Sequence, residues 1–316
     1  MTSPNLSEIV STTLRNRSGE FADNVTKKNA LLAKLDEKGA IVRHSGGRTI
    51  VKELDYAENG TFKYYSGYES LDVSSQEVLS AAEYNWRQAA VAVTISGLEK
   101  RQNGGSSGVI DLLSSRINNA MRTMGNKVSE GIYSDGTGTS GKQIDGLKSL
   151  VADDPTSGVV GGIDAATYSF WRNYASSAAT SAGNITARMN LAYNTITRGA
   201  DQPDIIPADS TMFGFYEASL QDKMRFSDTK MADAGFLSYR FKGADVVLDD
   251  AVGISTTHNR MYFLNTDYIT FDVHEDAYMT PLDGIRPVNQ DAEVFPIILQ
   301  GNMTCSNREQ QAVLTA

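Results

Sequence analysis

A glycine-rich segment in the middle of the chain has the spacing of a phosphate-binding loop. Gly136, Gly141 and Lys142 follow the order GxxxxGK, in which backbone N–H groups and the lysine hold nucleotide phosphates. The next residue is Gln143, where such a loop needs a Ser or Thr hydroxyl for Mg²⁺. A long helical pattern also precedes the loop, where a strand should stand. We therefore predict a turn between two subdomains here, and no nucleotide site.

Metal-binding and nucleophilic residue types do not cluster in the sequence. His44, His258 and His274 are far apart, and none has the HxxxH spacing of a zinc site. The single cysteine, Cys305, excludes an intrachain disulfide and a cysteine-rich zinc site, and its flanking sequence does not favour a Cys–His nucleophile pair. We expect no catalytic residue, no cofactor and no metal.

Two pairs of adjacent carboxylates are the remaining candidates for chemistry. Asp153-Asp154 and Asp249-Asp250 could bind a cation or act as acid and base. Adjacent carboxylates in turns are usually solvent-exposed caps of the backbone. An enzyme with a metal site around Asp249 and Asp250 stays as an alternative hypothesis.

The composition is that of a folded, acidic chain. It has 316 residues, 41% hydrophobic and 21% charged, and 29 Lys and Arg stand against 38 Asp and Glu, a net charge of −9. The excess of acid argues against DNA binding by bulk charge, which needs clustered Lys and Arg. No apolar run approaches the ~18 residues of a membrane span, and the first residues lack a signal-peptide pattern, so we expect no membrane contact.

Apolar residues at helical spacing predict an arm of two short helices over residues 1–39. The first carries Leu6 to Leu14, and the second begins around Phe21 and ends at Gly39. Such a pair has too little apolar surface to fold alone, so it should pack on the rest of the molecule or on another subunit.

The next segment, 41–98, predicts a long β-hairpin. Asn59-Gly60 favours a tight turn, the outgoing leg carries an aromatic strip, and Trp86–Ser96 is the predicted return strand. Unpaired strand edges invite association, so we expect this hairpin to lie on a neighbouring subunit.

A long helix and a mixed region follow. An apolar stripe from Leu112 to Ile132 predicts a helix over about 109–133. Beyond it the patterns predict a strand in GLKSLV (146–151), a helix in TYSFWRNYA (167–175), and a β-rich segment from Arg260 onward. Further helices are predicted around 187–197 and 216–225, and a strand over 243–250. Helices and strands are segregated, which is typical of the α+β class.

This order of elements resembles the major capsid proteins of tailed bacteriophages, the Hong Kong 97-type shell fold. The resemblance covers nearly the whole chain and rests on pattern over length. It is carried by DNVTKKNALLAKLDEKG (23–39), YSGYESLDV (65–73), AAEYNWRQAAVAVTISGLEK (81–100), YSDGTGTSGKQIDGL (133–147), YFLNTDYI (262–269) and GNMTCSNREQQAVLTA (301–316).

The resemblance implies a domain organisation and a set of contacts between subunits. The implied parts are an N-terminal arm (1–45), an extended E-loop (46–98), a P-domain spine helix (99–135), an A-domain (136–259), and P-domain strands with the C-terminal return (260–316). The implied inter-subunit contacts are Leu31, Leu35, Tyr64, Tyr65, Tyr68 and Trp86.

The implied function is that of a structural protein without enzymatic activity. Hexamers and pentamers of the chain would form an icosahedral shell around double-stranded DNA, without sequence-specific DNA binding. Further implied partners are a separate scaffolding protein, a portal protein and a possible decoration protein; the implied location is the virion capsid, assembled in the host bacterial cytoplasm. An encapsulin-like nanocompartment shell is the alternative.

Some members of the resembled family join subunits through Lys–Asn isopeptide bonds. Lys52 and Lys63 lie in the implied loop, and Asn289, Asn302 and Asn307 in the return strands. No matching motif for the bond is present, so we expect these residues to be ordinary polar side chains.

Overall fold

The computed structural model describes residues 29–102, 106–178, 180–220, 238–249 and 259–316. The predicted first helix, with Leu6 and Leu14, lies outside the described residues, as do His258 and Asp250.

Helix α1 (Ala30–Glu37) begins where Asn29 caps it. The Asn29 side chain accepts a hydrogen bond from the backbone N–H of Leu32 at 3.0 Å, and its extended backbone separates α1 from what precedes it. The described helix begins at Ala30, and the predicted start near Phe21 lies outside the described residues. Its predicted end is confirmed, because Gly39 has a φ of +67°, the left-handed conformation that glycine adopts most easily after a helix.

The first of two large sheets forms the main core together with the long helix. Strand β14 (Ala292–Cys305) lies at its centre and pairs antiparallel with β4, β12 and β13, while β1 pairs parallel with β12. The bounds are β1 (Ile41–His44), β4 (Arg87–Ser96), α2 (Gly97–Gln102), α3 (Ser106–Ile132), β12 (Ile269–His274) and β13 (Thr280–Pro281).

Helix α3 confirms the predicted long helix and much of its stripe. It packs against β4, and the part of the stripe whose side chains are described is buried in the main core. These residues are Ile117, Ala120, Met121, Met124, Val128 and Ile132.

The second sheet has its own core, covered by two helices. Its strand order is β7-β15-β11-β8-β10-β9, with α5 and α6 packed on it. The bounds are β7 (Tyr174–Ser176), α5 (Ile185–Ile196), β8 (Ile205–Ala208), α6 (Ser210–Leu220), β9 (Ser238–Phe241), β10 (Ala244–Leu248), β11 (Arg260–Phe263) and β15 (Ala312–Thr315). Before this sheet the chain forms α4 (Leu147–Leu150) and a separate strand pair, β5 (Val159–Val160) and β6 (Ile163–Asp164). Helices and strands are segregated, as predicted for the α+β class.

The hairpin differs from its prediction in the return leg. Strand β2 (Thr49–Asp55) pairs with β3 (Leu79–Asn85), and the chain between them forms no strand. The predicted return strand, β4, instead pairs with β14 in the first sheet. Both strands alternate in polarity, so the sequence pattern alone could not show which of them closes the hairpin.

Two short elements also correct the sequence interpretation. GLKSLV is the helix α4 and not a strand, because Leu147 and Leu150 are one helical turn apart and both are buried. TYSFWRNYA contains a 3₁₀ turn (Ser169–Trp171) followed by strand β7, rather than one helix. The turn buries the Trp171 ring.

A fully buried arginine joins these short elements. Arg308 donates from Nε to the carbonyl of Leu150 at 2.7 Å, from Nη1 to the carbonyl of Trp171 at 2.9 Å, and from Nη2 to Oδ1 of Asn173 at 3.1 Å. The bonds to Leu150 and Trp171 satisfy buried carbonyl groups, which are costly to leave without a partner. The guanidinium thus holds α4 and the 3₁₀ turn against the end of the chain.

We predict that Gly146→Ala lowers the free energy of unfolding by about 2–3 kcal/mol, measured by urea titration. A Cβ at Gly146 would lie less than 3.0 Å from backbone atoms of Gly131, Ile132 and Ser134, which cannot move independently of α3. Gly214→Ala, in α6 with no atom within 4 Å of its added Cβ, is the matched control and should be neutral or stabilising by up to about 1 kcal/mol. Equal effects of the two variants would contradict this packing.

Candidate interaction surfaces

The hairpin tip, residues 56–78, projects an exposed apolar surface. Tyr64 is 91% exposed and Val73 is 92% exposed, and the Phe62 and Tyr64 rings contact each other edge to face with centroids 5.3 Å apart. So much exposed aromatic surface in one place is a mark of an interaction site. Its exposed large apolar residues are Phe62, Tyr64, Tyr65, Tyr68, Leu71 and Val73.

The six predicted contact residues divide into three groups: the tyrosines of the hairpin tip, Trp86, and the two leucines of α1. Tyr64, Tyr65 and Tyr68 are exposed in the hairpin tip. Trp86 is partly buried, and its Nε1–H donates to the carbonyl of Gly47 at 3.0 Å.

The other two predicted contacts need a correction. Leu31 and Leu35 are 0% exposed and belong to this chain's own main core. Helix α1 buries its apolar side against its own subunit, with Lys38 bonded to Asp204 at 2.9 Å and Asp267 at 2.7 Å. These leucines therefore cannot reach another subunit while α1 is in place.

A second surface lies on the outer side of the first sheet. In β4 and β14 alternate residues face the core, and the residues between them face outward. Three rows of paired residues there cross β4, β14 and the segment 280–285. None of these nine side chains carries a charge. We call this surface the uncharged face; its rows are Thr94, Val294 and Ile285; Ala92, Pro296 and Leu282; and Ala90, Ile298 and Thr280.

The uncharged face is partly exposed and mostly apolar. Ala90, Ala92 and Thr94 are exposed, and so are Leu282 and Ile285 at the opposite side. Sequence reasoning missed this surface because it depends on the register between β4 and β14, which are about 200 residues apart in the sequence.

A buried carboxylate fixes the hairpin to the first sheet. Oδ1 of Asp272 on β12 accepts from Lys52 Nζ on β2 at 2.8 Å and lies 2.6 Å from His44 Nε2 on β1. Its Oδ2 accepts from the hydroxyls of Thr270 at 2.7 Å and Thr304 at 2.6 Å. Asp272 is 0% exposed, so its charge is balanced inside the protein by these partners.

Opposing effects act on the pKa of Asp272. Burial raises it, but hydrogen bonds from Lys52, Thr304 and His44 and the positive charge of Lys52 outweigh burial and hold the pKa below its ordinary value of 3.8. Asp272 is therefore a carboxylate at neutral pH, and the Lys52 ion pair is present.

The residues considered for chemistry have structural partners. Asp153 pairs with Arg260, Asp154 accepts from Thr156 and Ser157, and the Tyr133 hydroxyl donates to Asp249 at 2.8 Å. In the described part of the chain, no three His, Cys, Asp or Glu residues are placed to hold a metal ion.

The glycine-rich segment and the cysteine are also structural. Residues 136–142 form a turn after α3, as predicted, and Gly136 and Gly141 both have a φ of +75°. Burial raises the pKa of Cys305 to about 12, so its thiol is a protonated core group at neutral pH. Among the described helices, none has both the length and the hydropathy required to cross a bilayer.

Two of the residues considered for isopeptide bonds are engaged within the chain. Lys52 pairs with Asp272, and Asn302 donates to Asp145 Oδ2 at 2.7 Å and to the carbonyl of Asn85 at 2.9 Å. Lys63 lies in the hairpin tip, 3.7 Å from Glu69.

Comparison with solved structures identifies the fold. The chain superposes on a chain of the cyanophage A-1(L) capsid with a TM-score of 0.69 and 15% identity, over 88% of this chain and 90% of that one. It matches the capsid of Myoviridae phage XM1 with a TM-score of 0.54 and 12% identity, over 89% and 91% of the two chains. A virus-like particle from Pyrococcus furiosus matches with a TM-score of 0.51 and 11% identity, over 96% and 98%.

No protein-family model matches the sequence, and no curated protein matches it. The structural matches show that the chain has the Hong Kong 97-type shell fold that the sequence resemblance implied.

We predict that Asp272→Asn lowers the free energy of unfolding by roughly 3 kcal/mol at pH 7, because Lys52 loses its charge partner. The folded-state pKa of Asp272 is depressed, so its stabilisation is complete above the ordinary value and is lost as pH falls through the depressed value. Urea titrations from pH 7 to pH 2.5 should show the difference between the two proteins shrinking once the pH falls below about 4. Asp36→Asn, at an exposed carboxylate, is the control; a difference between Asp272→Asn and the wild type that stays constant over this pH range would refute the assignment.

Proposed function

We propose that the chain is the major capsid protein of a tailed bacteriophage. Hexamers and pentamers of it form an icosahedral shell that encloses double-stranded DNA. The observation that carries the proposal is the shell fold combined with a hairpin tip whose large apolar residues, from Phe62 to Val73, are exposed. A structural role needs complementary surfaces and no reaction centre, so we propose no enzymatic activity.

The two surfaces offer a means of self-assembly. The hairpin tip of one copy docks on the uncharged face of another, and each buries apolar area that water otherwise covers. A contact between two different surfaces of the same chain generates a ring when its rotation closes. Rings of six and five need only slightly different rotations, which the long hairpin can accommodate.

The domain names follow from this proposal. Residues 1–45 are the N-terminal arm, α3 is the spine of the P-domain, 136–259 are mainly the A-domain, and β12, β13 and β14 complete the P-domain. Strands β11 and β15 were also expected in the P-domain, but they pair in the second sheet with the A-domain strands. The E-loop is the hairpin from β2 to β3, shorter than the expected 46–98, because β4 pairs in the first sheet.

The chain would also have protein partners and a defined location. A separate scaffolding protein, a portal protein and a possible decoration protein would act with this chain, and assembly in the host bacterial cytoplasm would give the virion capsid. DNA is enclosed without sequence-specific contacts, which agrees with the net charge of −9. An encapsulin-like compartment would instead contain a protein cargo.

The test is negative-stain electron microscopy with size-exclusion chromatography, on the chain expressed alone and with a candidate scaffolding protein. Closed shells, tubes or ring-shaped capsomers are expected. A monomer or dimer in every condition would contradict the proposal and reopen the enzyme hypothesis at Asp249 and Asp250. Nucleic acid or a bound protein inside closed particles would distinguish a genome shell from a cargo compartment.

Two variants separate assembly from folding. Tyr64→Ser combined with Tyr65→Ser and Tyr68→Ser removes the aromatic tip, and Ala92→Asp places one charge on the uncharged face. Both should keep the wild-type melting temperature, because the changed residues are exposed, and both should lose particles in the micrographs.

Leu191→Ser is the matched control, since it removes an exposed apolar side chain from α5, away from both surfaces. It should assemble like the wild type. Normal particles from the tip or face variants would exclude these two surfaces as the assembly contact.

A further inference from the structure

The turn at Asn59-Gly60 lies in the hairpin tip and is exposed to water. It runs from Asn59 to Phe62, whose backbone N–H donates to the Asn59 carbonyl at 3.3 Å. Neither Asn59 nor Gly60 has a positive φ, so this backbone does not require a glycine. A Cβ added at Gly60 would have one atom within 4 Å, Oε1 of the Gln76 side chain at 3.4 Å. The glycine therefore leaves the backbone nitrogen of residue 60 unhindered without being needed for the conformation.

The side-chain carbonyl of Asn59 is held by two donors of one residue. Its Oδ1 accepts from the backbone N–H of Thr61 at 3.0 Å and from the Thr61 hydroxyl at 2.7 Å. This turn places the side-chain amide of Asn59 beside the peptide bond that joins it to Gly60. In the described part of the chain, no hydrogen bond to a protein group engages the N–H of Gly60. A free nitrogen and a polarised carbonyl carbon are thus neighbours.

We propose that Asn59 and Gly60 form a self-modifying site, at which the chain converts its own asparagine to aspartate or isoaspartate. The Gly60 nitrogen gives its proton to hydroxide and attacks Cγ of Asn59, so that an N–Cγ bond forms. The Cγ–Nδ2 bond then breaks, and Nδ2 takes a proton from water and leaves as ammonia.

Water opens the cyclic imide that results. Cleavage of its N–Cγ bond gives aspartate at position 59. Cleavage of the bond between the same nitrogen and the backbone carbonyl carbon of residue 59 gives isoaspartate, in which the main chain runs through Cβ and Cγ. The whole reaction consumes one water and releases one ammonia, and nothing is oxidised or reduced.

Thr61 stabilises the charge that develops during the attack. An electron pair moves onto Oδ1 of Asn59 as the nitrogen approaches Cγ, and donors already placed on a developing oxyanion lower the barrier. Both donors of Thr61 are on Oδ1 before the reaction begins. We expect the Thr61 hydroxyl to accelerate the reaction about fivefold, the factor that one hydrogen bond provides at a site open to water.

The product changes the start of the exposed apolar surface. The new carboxylate stands next to Glu58 in the sequence and close before Phe62, so this part of the tip gains negative charge. Isoaspartate also lengthens the main chain inside the turn that positions Phe62. If the tip docks on another copy, a consequence that rests on the proposed function, copies that stay unassembled lose this ability with time.

The test is mass spectrometry of tryptic peptides from the full chain after incubation at pH 8, either folded or in concentrated urea. Trypsin releases residues 53–63, in which Asn59 is the single asparagine. Aspartate and isoaspartate should accumulate several-fold faster in the folded chain, because the unfolded chain lacks the fixed donors of Thr61. An Asn59 that stays intact in the folded chain, or that reacts no faster than in urea, would overturn the proposal.

Four variants identify the groups responsible. Thr61→Val keeps the shape of the side chain but removes the hydroxyl, so it should slow the folded reaction about fivefold and leave the rate in urea unchanged. Thr61→Ser keeps the hydroxyl and should react like the wild type. Gly60→Ala hinders the nitrogen and should slow the reaction in both states, whereas Asn59→Gln needs a larger ring and should stay intact. A wild-type rate in Thr61→Val or in Gly60→Ala would contradict the mechanism.

Electron microscopy separates the modification from the proposed shell. Fresh wild-type protein that forms no particles would contradict the proposed function alone. Where fresh protein does form particles, protein incubated until position 59 is converted should form fewer, and Asn59→Gln incubated for the same time should form as many as when fresh. Unchanged particle formation after full conversion would overturn the consequence for the tip.

Discussion

The buried charge of Asp272 is the constraint on which the arrangement of the hairpin depends. A carboxylate with no exposure must be neutralised within the protein, and the nearest ammonium group is that of Lys52 on the hairpin. The ion pair holds β2 against β12, and Tyr84 holds β3 against Cys305 at the end of β14. Beyond this fixed base, the hairpin carries the exposed apolar residues from Phe62 to Val73.

Helix α1 limits the ways in which copies of the chain can associate. Its apolar side is buried in its own subunit, and its lysines meet carboxylates of the same chain: Lys34 lies 3.6 Å from Asp245, and Lys38 bonds to Asp204 and Asp267. The described part of the arm therefore contacts both cores of its own subunit: its leucines lie in the main core, and Lys34 meets Asp245 on β10 of the second sheet. In the proposed assembly, copies of the chain associate through the hairpin tip and the uncharged face, where exposed apolar residues lie close together.

The sequence predicted the parts of the structure whose signals are local. The helix α3 follows from its stripe of Ile117 to Ile132, and the end of α1 follows from Gly39. The shell fold followed from the resemblance along the chain. The short helix α4 was mispredicted as a strand, because its one turn holds only the apolar pair Leu147 and Leu150, too few residues to establish a helical period.

The remaining features depend on contacts distant in sequence. In the sequence, Asp272 has no feature that distinguishes it from other polar strand residues. Its partners Lys52 and His44 are about 220 residues away in the chain and meet it only in the fold. The uncharged face forms only because β4 and β14 pair in this register. The return leg of the hairpin was misplaced for the same reason, because alternation in β3 and β4 does not state which partner each strand has.

The most direct test of this account is a cryo-electron microscopy reconstruction of the assembled particle at a resolution that shows side chains. The account predicts that the tip residues Tyr64, Tyr65 and Tyr68 of one subunit lie on Ala90, Ala92 and Ile298 of the next, around closed rings of six and five. A particle whose hairpin tips extend into solvent, or whose uncharged faces are bare, would contradict it.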